Sequence, residues 1–373
     1  MKIGILTQPI HHNYGGILQN WALQQVLRRL GHEPLKLERK YGNPWPFVRR
    51  QPFAIAKTAL LKLIGRRRDV SLRQLYDEMI WKCSRLPIGE LSLAVSRPLY
   101  DATAVARASR SVDAFIVGSD QVWREEYSPS IEEFFLSFLD DADPRPRIAY
   151  AASFGKPSGA ISDARLPRCR ELLKRFRAVS VRESEGRDIL ARDFDHPDAP
   201  VVLDPTLLLT ADDYRPIVAR GHRQPHITSY ILDSTPGKEA AIDAIASRLR
   251  LPADRLAVRY EAGARGRSPR VSRWLRSIAT ADFVVTDSFH GTVFAILFSR
   301  PFLAIGNAYR GIDRFRSLLE PLGLADRLIL DPAAATARLD EFTRPVDYTE
   351  VHRRLDTLRD GSRRWLRAAL AAR

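Results

Sequence analysis

Asp282-Phe283-Val284-Val285-Thr286-Asp287-Ser288-Phe289-His290-Gly291-Thr292-Val293-Phe294-Ala295-Ile296-Leu297-Phe298 is the stretch from which the fold can be read. A β-branched apolar run of strand length stops at Thr286-Asp287. Polar residues and a glycine follow, and a second apolar run with helical spacing then begins. The pattern is strand, tight loop, helix. Open parallel sheets place their ligands at the carboxyl ends of strands, and this loop lies there with His290 in the first turn of the helix. Unpaired amide N–H groups at that position attract anions, and a histidine beside them can exchange a proton near neutral pH. Asp287 and Ser288 have two readings: they cap the helix, or they belong to a site in which Asp287 orients His290.

Two other segments share this form. Lys2-Ile3-Gly4-Ile5-Leu6-Thr7 reads as a buried strand, followed by a polar loop through His11, His12, Asn13 and Tyr14. Gly15-Gly16 then opens an amphipathic helix over Ile17–Leu30, with Gly31 as its C-cap. The glycine pair either lets backbone approach a ligand or is a plain turn, and it lacks the full dinucleotide fingerprint. Further on, Asp113-Ala114-Phe115-Ile116-Val117 is a short strand followed by Gly118-Ser119-Asp120-Gln121-Val122-Trp123. Asp120 and Gln121 can hydrogen-bond sugar hydroxyls. Trp123 offers a flat face for a pyranose ring or for core packing.

Taken in order, these pieces resemble the polysaccharide pyruvyl transferase family. The residues that carry the resemblance are Asn13-Tyr14-Gly15-Gly16 with Leu18-Gln19 and Ala22-Leu23, Gly118 to Trp123, Ser180-Val181-Arg182-Glu183, Leu203-Asp204-Pro205-Thr206, and Thr286 to Thr292. The resemblance implies an α/β protein with two Rossmann-like domains facing a cleft, similar to two-domain glycosyltransferases. It implies transfer of the enolpyruvyl group of phosphoenolpyruvate onto two hydroxyls of a sugar in an exopolysaccharide or cell-surface glycan precursor, giving a pyruvate ketal and phosphate. Strand signals at Ile148–Ala151, Ala178–Val181, Ile227–Leu232, Leu256–Val258 and Phe302–Ile305 alternate with helical ones and suit that fold independently.

On this reading His290 is the general acid or, alternatively, a phosphate ligand, and Asp120 an acceptor-side base. Arg182, Ser288, Phe289, Gly291, Thr292, Arg310 and Arg314 bind the donor. Asn13, Tyr14, Gly15, Gly16, Gln19, Ser119, Gln121 and Trp123 bind the acceptor. A guanidinium at Arg182 can grip carboxylate or phosphate with two parallel hydrogen bonds, or it pairs with Glu183 or Glu185. Ser288 is a departure, because branches of the family carry an arginine there. The missing charge then has to come from Arg310, Arg314 or Arg316, or from Arg270 or Arg273. Two rivals stay open: a glycosyltransferase of the same architecture using a nucleotide sugar, and a non-catalytic glycan-binding module.

With 373 residues the chain exceeds what one core usually organises. The expected division is 1–206 with a basic insertion near 41–97, then 207–345 carrying the donor-site motif, then a basic helix over 346–373 that packs back on the first domain. Prolines, apolar runs and Arg66-Arg67-Arg68 in the insertion suit either a solvated loop or contact with an anionic membrane surface bearing a lipid-linked acceptor. No run approaches the ~20 apolar residues of a spanning helix, and a cytoplasmic protein is expected. Cys83 and Cys169 are too few for a zinc site or disulfide framework. No metal or cofactor is expected, phosphoenolpyruvate being a co-substrate. The net charge of +15 calls for an anionic partner. It is not nucleic acid on this reading, since no motif with a docking geometry accompanies the scattered basic residues.

Overall fold

The computed structural model describes residues 1–42, 88–256, 270–306 and 311–371. The first sheet contains β1 (Lys2–Leu6), β2 (Glu33–Lys36), β3 (Ala114–Val117), β4 (Arg147–Ala152) and β5 (Ala178–Val181), in the order β2-β1-β3-β4-β5. The second contains β6 (Ile227–Tyr230), β7 (Ala253–Arg255), β8 (Phe283–Thr286), β9 (Phe302–Ile305) and β10 (Leu328–Ile329), in the order β10-β9-β8-β6-β7. All pairings are parallel. Both sheets therefore repeat one doubly wound order, which reverses between β1 and β3 and again between β6 and β8. Ligand crevices form at such reversals.

The buried strands carry uninterrupted apolar side chains because helices cover both faces, as in β8 and β9, whose residues are all buried. Edge strands obey a looser rule. Pro34 is tolerated in β2 because an edge strand can leave one side of its ladder unpaired. The strand signal at Leu256–Val258 is displaced: β7 occupies Ala253–Arg255, since the ladder starts where Ile227 N donates to Pro252 O, and Ala257 and Val258 lie outside the described residues. The insertion expected near 41–97 also lies largely outside them.

Helices α1 (Tyr14–Arg29), α2 (Ala102–Ser109), α3 (Leu166–Leu173) and α4 (Ser184–Phe194) flank the first sheet. The second domain contributes α5 (Pro236–Leu249), α6 (Val271–Thr280), α7 (Phe289–Leu297) and α8 (Asp313–Leu322), and α9 (Tyr348–Ala371) closes the chain. One apolar core lies between the sheets and is shared by both domains. At its centre Tyr14 stacks on Trp274, with ring centroids 5.2 Å apart, and Tyr230 and Phe294 meet Trp274 edge-on. Separate cores cover the outer faces.

Helix α9 crosses back to the first domain. Ser362 Oγ accepts from Leu203 N at 3.0 Å, Arg359 Nε donates to Leu207 O at 2.7 Å, and Trp365 lies against Tyr150. The long segment between β5 and β6 is thereby pinned from both sides.

Because the stack of Tyr14 on Trp274 bridges the domains, Trp274→Ala should cost about 3–5 kcal/mol, the usual range for removing a fully buried aromatic. Denaturant unfolding measures this. A loss under 1 kcal/mol would mean that the shared core does not couple the domains.

Candidate active site

Two helix N-termini face one another across the cleft, and glycines make the approach possible. Asn13 caps α1, its Oδ1 accepting from Gly16 N at 3.1 Å. Ser288 caps α7, its Oγ accepting from Gly291 N at 3.3 Å. A Cβ on Gly15 would fall 2.0 Å from His290 Nδ1, so only glycine lets the first turn of α1 close over the imidazole. A Cβ on Gly291 would fall 2.3 Å from Thr286 Oγ1, so α7 can spring from β8 only with glycine there.

Asp204 is the hub of the cleft. Its Oδ2 accepts from Arg182 Nη1 at 3.0 Å and from Ser119 Oγ at 3.1 Å, and lies 3.5 Å from His290 Nε2. Its Oδ1 accepts from the amide and hydroxyl of Thr206, at 3.0 and 2.7 Å. Burial alone would raise this carboxyl. The charges of His290 and Arg182 and the Thr206 hydrogen bonds outweigh it and hold Asp204 far below the ordinary carboxylate range. The Asp204 motif carried part of the family resemblance, yet sequence reasoning gave the residue no role. Its partners come together only when Pro205 starts a tight turn that aims the carboxylate inward.

Arg182 is enclosed by carboxylates. Besides Asp204 it faces Asp120 Oδ1 and Glu183 Oε2, each at 3.5 Å, and its ion pairing, led by Glu183, outweighs desolvation and keeps it charged. Burial pushes the Glu183 carboxyl up despite Arg182 beside it. Of the two alternative partners read from the sequence, Glu183 is in contact. Glu185 is not: its backbone N–H instead donates to Asp313 Oδ2 across the domain boundary at 2.8 Å. Arg182 Nη2 and His290 Nε2 are buried and have no hydrogen-bond partner among the described residues. Native structures rarely leave such atoms unsatisfied, and here two of them lie in one cleft.

Asp120 adopts φ +75°, a left-handed conformation that short polar residues tolerate best. This turns its carboxylate towards Arg182 and towards Asn13 Nδ2, 3.5 Å from Oδ2. Phe289 lies between two guanidiniums, with Arg182 4.8 Å and Arg314 5.8 Å from the ring centroid. Arg182, Asp204, Phe289 and Arg314 line a cavity of about 400 Å³ whose far wall is Leu318, Leu358 and Trp365.

The structure brings His290, Asp120, Arg182, Phe289, Arg314, Asn13, Gly15, Gly16 and Ser119 together, and corrects other expectations. Trp123 is fully buried, donates to Phe134 O and stacks on Phe135, so it is a core residue and cannot meet an acceptor sugar. Tyr14 belongs to the interdomain aromatic stack. Gln19 braces the cleft from beneath, donating to Thr7 Oγ1 and accepting from Ser119 N. Gln121 is buried against Gly155, and Thr292 is fully buried with its hydroxyl turned to Ser288 O. Ser288 Oγ is occupied as the helix cap. Asp287 neither caps α7 nor orients His290: it accepts from Leu232 N, Asp233 N and Lys238 Nζ and so fixes the loop after β6.

Among the arginines considered for the missing charge, Arg314 is buried at the cleft, Arg270, Arg273 and Arg316 are exposed, and Arg310 lies outside the described residues. Burial pushes the Cys169 thiol up to about 12, which leaves it a packing residue. No cluster of three or more His, Cys, Asp or Glu that could hold a metal lies among the described residues, and no helix there is long and apolar enough to cross a membrane.

The sequence profile described as polysaccharide pyruvyl transferase matches residues 13–309, from the cap of α1 to beyond β9. The chain belongs to this family. No curated protein sequence matches the chain. Among solved structures it is similar to one classed as a UDP-N-acetylglucosamine 2-epimerase from Listeria monocytogenes, at 11% identity and TM-score 0.51 over 95% of this chain and 90% of that one. A UDP-N-acetylglucosamine 2-epimerase from Rickettsia bellii matches at 10% identity and TM-score 0.50 over 98% and 95%. The spinosyn rhamnosyltransferase SpnG aligns over 100% of both chains at 14% identity and TM-score 0.42. The two epimerase likenesses concern the fold alone, two α/β domains.

Gly15→Ala should displace His290 and cut turnover of the pyruvyl transferase by at least about tenfold, the cost of roughly 1.4 kcal/mol in the transition state, with little change in melting temperature. Unchanged turnover would show that the imidazole need not lie where α1 holds it. A second prediction concerns Glu185, whose carboxyl burial and the neighbouring Asp313, Glu183 and Asp188 push up to about 7. A raised folded value means that ionisation costs stability, so the wild type should lose ground to Glu185→Gln as pH rises from about 4.3, the ordinary glutamate value, through 7. Urea unfolding of both proteins across that range gives the difference, which would stay flat if Glu185 titrated normally.

Proposed function

We propose that the chain transfers the enolpyruvyl group of phosphoenolpyruvate onto two hydroxyls of a glycan-precursor sugar, forming a pyruvate ketal and releasing phosphate. The observation that carries this reading is the buried, hydrogen-bond-orphaned His290 Nε2, set beside Asp204 at the mouth of two helix N-termini. The donor is an anion. Arg314, the unspent amino group of Arg182 and the amide end of α7 supply its counter-charge. Acceptor hydroxyls meet the opposite wall, where Asp120 and Asn13 offer an acceptor and a donor of hydrogen bonds.

The protonated imidazole of His290 gives its proton to the methylene carbon of phosphoenolpyruvate, and the double-bond electrons form the new C–H bond. The adjacent carbon becomes electron-poor, and one sugar hydroxyl adds to it while Asp120 takes the hydroxyl proton. The C–O bond to phosphate then breaks, the second hydroxyl adds to the same carbon, and its proton returns to the cleft. The products are ketal and inorganic phosphate. Asp204 is a positioning residue: it faces the imidazole and holds Arg182 within reach of the donor. The same proximity makes Arg182→Ala uninformative, because it would leave three carboxylates facing one another.

The rival, sugar transfer from a nucleotide donor, rests on fold alone. Thermal-shift comparison separates the two, since a ligand at a hundredfold its dissociation constant stabilises by about 2.7 kcal/mol. Phosphoenolpyruvate should raise the melting temperature, and UDP-sugars should not.

His290→Gln keeps size and polarity but cannot supply the acid, so turnover should fall about a hundredfold or more with donor affinity little changed. A folded His290→Gln enzyme with near wild-type turnover ends the general-acid role, whereas lost affinity with preserved turnover makes His290 a phosphate ligand. Arg182→Lys keeps the charge and loses the fork. It should raise the donor KM about ten- to hundredfold, the worth of a charge-assisted hydrogen bond, while the melting temperature stays close to wild type. An unchanged KM would make Arg182 purely structural.

A further inference from the structure

A second cavity, of about 670 Å³, lies at the end of α6 and α7 opposite to His290. Its walls are the segment 211–221 that joins the two domains, the last turns of α6 and α7, and the start of α9. Arg215, Arg220, Arg276, Arg300 and His352 line it, and no acidic side chain does among the described residues. Asp212 pairs with Arg215 at 3.1 Å from outside the cavity. The carboxylate beside Arg300, Asp282, is already bonded to Arg223.

The remaining guanidiniums are only partly used. Arg276 Nη2 donates to His222 O at 2.5 Å and Arg300 Nη1 to Ala281 O at 3.3 Å. The Nε atoms of both are buried with no hydrogen-bond partner among the described residues. Helix C-termini repel anions, but the carbonyls exposed here are covered: Arg223 Nε reaches Thr280 O at 3.2 Å and Arg300 reaches Ala281 O. His352 Nε2 lies 3.4 Å from both Ser299 Oγ and Ile296 O and fills the rim without adding negative charge. What remains is a concave, cation-lined site with unspent donors, which suits a group with several charged oxygens.

We propose that this cavity binds a phosphate or diphosphate group, at a site distinct from the catalytic cleft. The proposal does not rest on the pyruvyl-transfer reading. A bound group would touch the joining segment, the second domain and α9 together, so it would brace the junction between the domains. The same chemistry could be presented by a free anion or by a phospholipid headgroup.

Titration calorimetry of the full chain with sodium pyrophosphate, run in the Arg182→Lys background to weaken any contribution of the cleft, tests the site. Cosedimentation with phosphatidylcholine vesicles containing phosphatidylglycerol tests the headgroup source. Saturable pyrophosphate binding should weaken about tenfold or more in Arg276→Gln/Arg300→Gln, as loss of charge-assisted partners predicts. It should weaken several-fold in Arg220→Ser, whose exposed position spares the fold. Binding that appears only on phosphatidylglycerol vesicles and follows the same substitutions assigns the site to a headgroup. Absence of binding in both assays, or binding indifferent to these substitutions, overturns the proposal.

Discussion

One buried carboxylate holds the cleft together. Asp204 takes hydrogen bonds from Arg182, Ser119 and Thr206 and faces His290, so a single side chain ties the end of β5, the loop after β3 and the first turn of α7 into one cluster. A charge removed from water at that depth is tolerable only when its lone pairs are filled. The donors that fill them come from the first domain and the imidazole that faces them from the second, which makes the electrostatics of the site and the docking of the domains one problem. Asp204→Asn would leave both Arg182 and His290 without their shared counter-charge.

Close backbone approach is the second constraint, and it follows from the first. His290 reaches Asp204 only if α1 and α7 meet with almost no side chain between them; Gly15 supplies that gap against the imidazole, and Gly291 lets α7 start close against Thr286 of β8. The aromatic stack of Tyr14 on Trp274 of α6, which meets Phe294 of α7 edge-on, lies next to this contact and packs the seam from the apolar side. Polar cleft and apolar core are therefore two faces of the same interdomain seam, with Tyr14 and Gly15, neighbours in sequence, serving one each.

That adjacency explains where sequence reading succeeds and where it stops. The strand-loop-helix units at β1-α1 and β8-α7 are legible because hydrophobic period and loop chemistry change together, and the ordered motifs lead to the family. Motif residues cannot be sorted into site and core in the same way. Trp123 and Asp120 share one loop, yet one packs on Phe135 and the other faces Arg182, and nothing local distinguishes them. The role of Asp204 is not legible locally because its partners Arg182 and Ser119 stand 22 and 85 residues away. Edge strands β2, β7 and β10 are faint for a different reason: they bury fewer side chains and so carry less apolar signal. The basic cavity at the domain junction has no motif at all, being assembled from segments that meet only in the fold.

The account's central claim is that a proton is delivered to the methylene carbon of phosphoenolpyruvate within this cleft. Running the reaction in deuterium oxide and examining the ketal by NMR tests it directly. The account predicts a methyl group carrying one solvent deuterium, with one phosphate released for each ketal formed. A product whose methyl group holds no solvent deuterium, or a reaction that consumes a nucleotide sugar and leaves phosphoenolpyruvate intact, would contradict it.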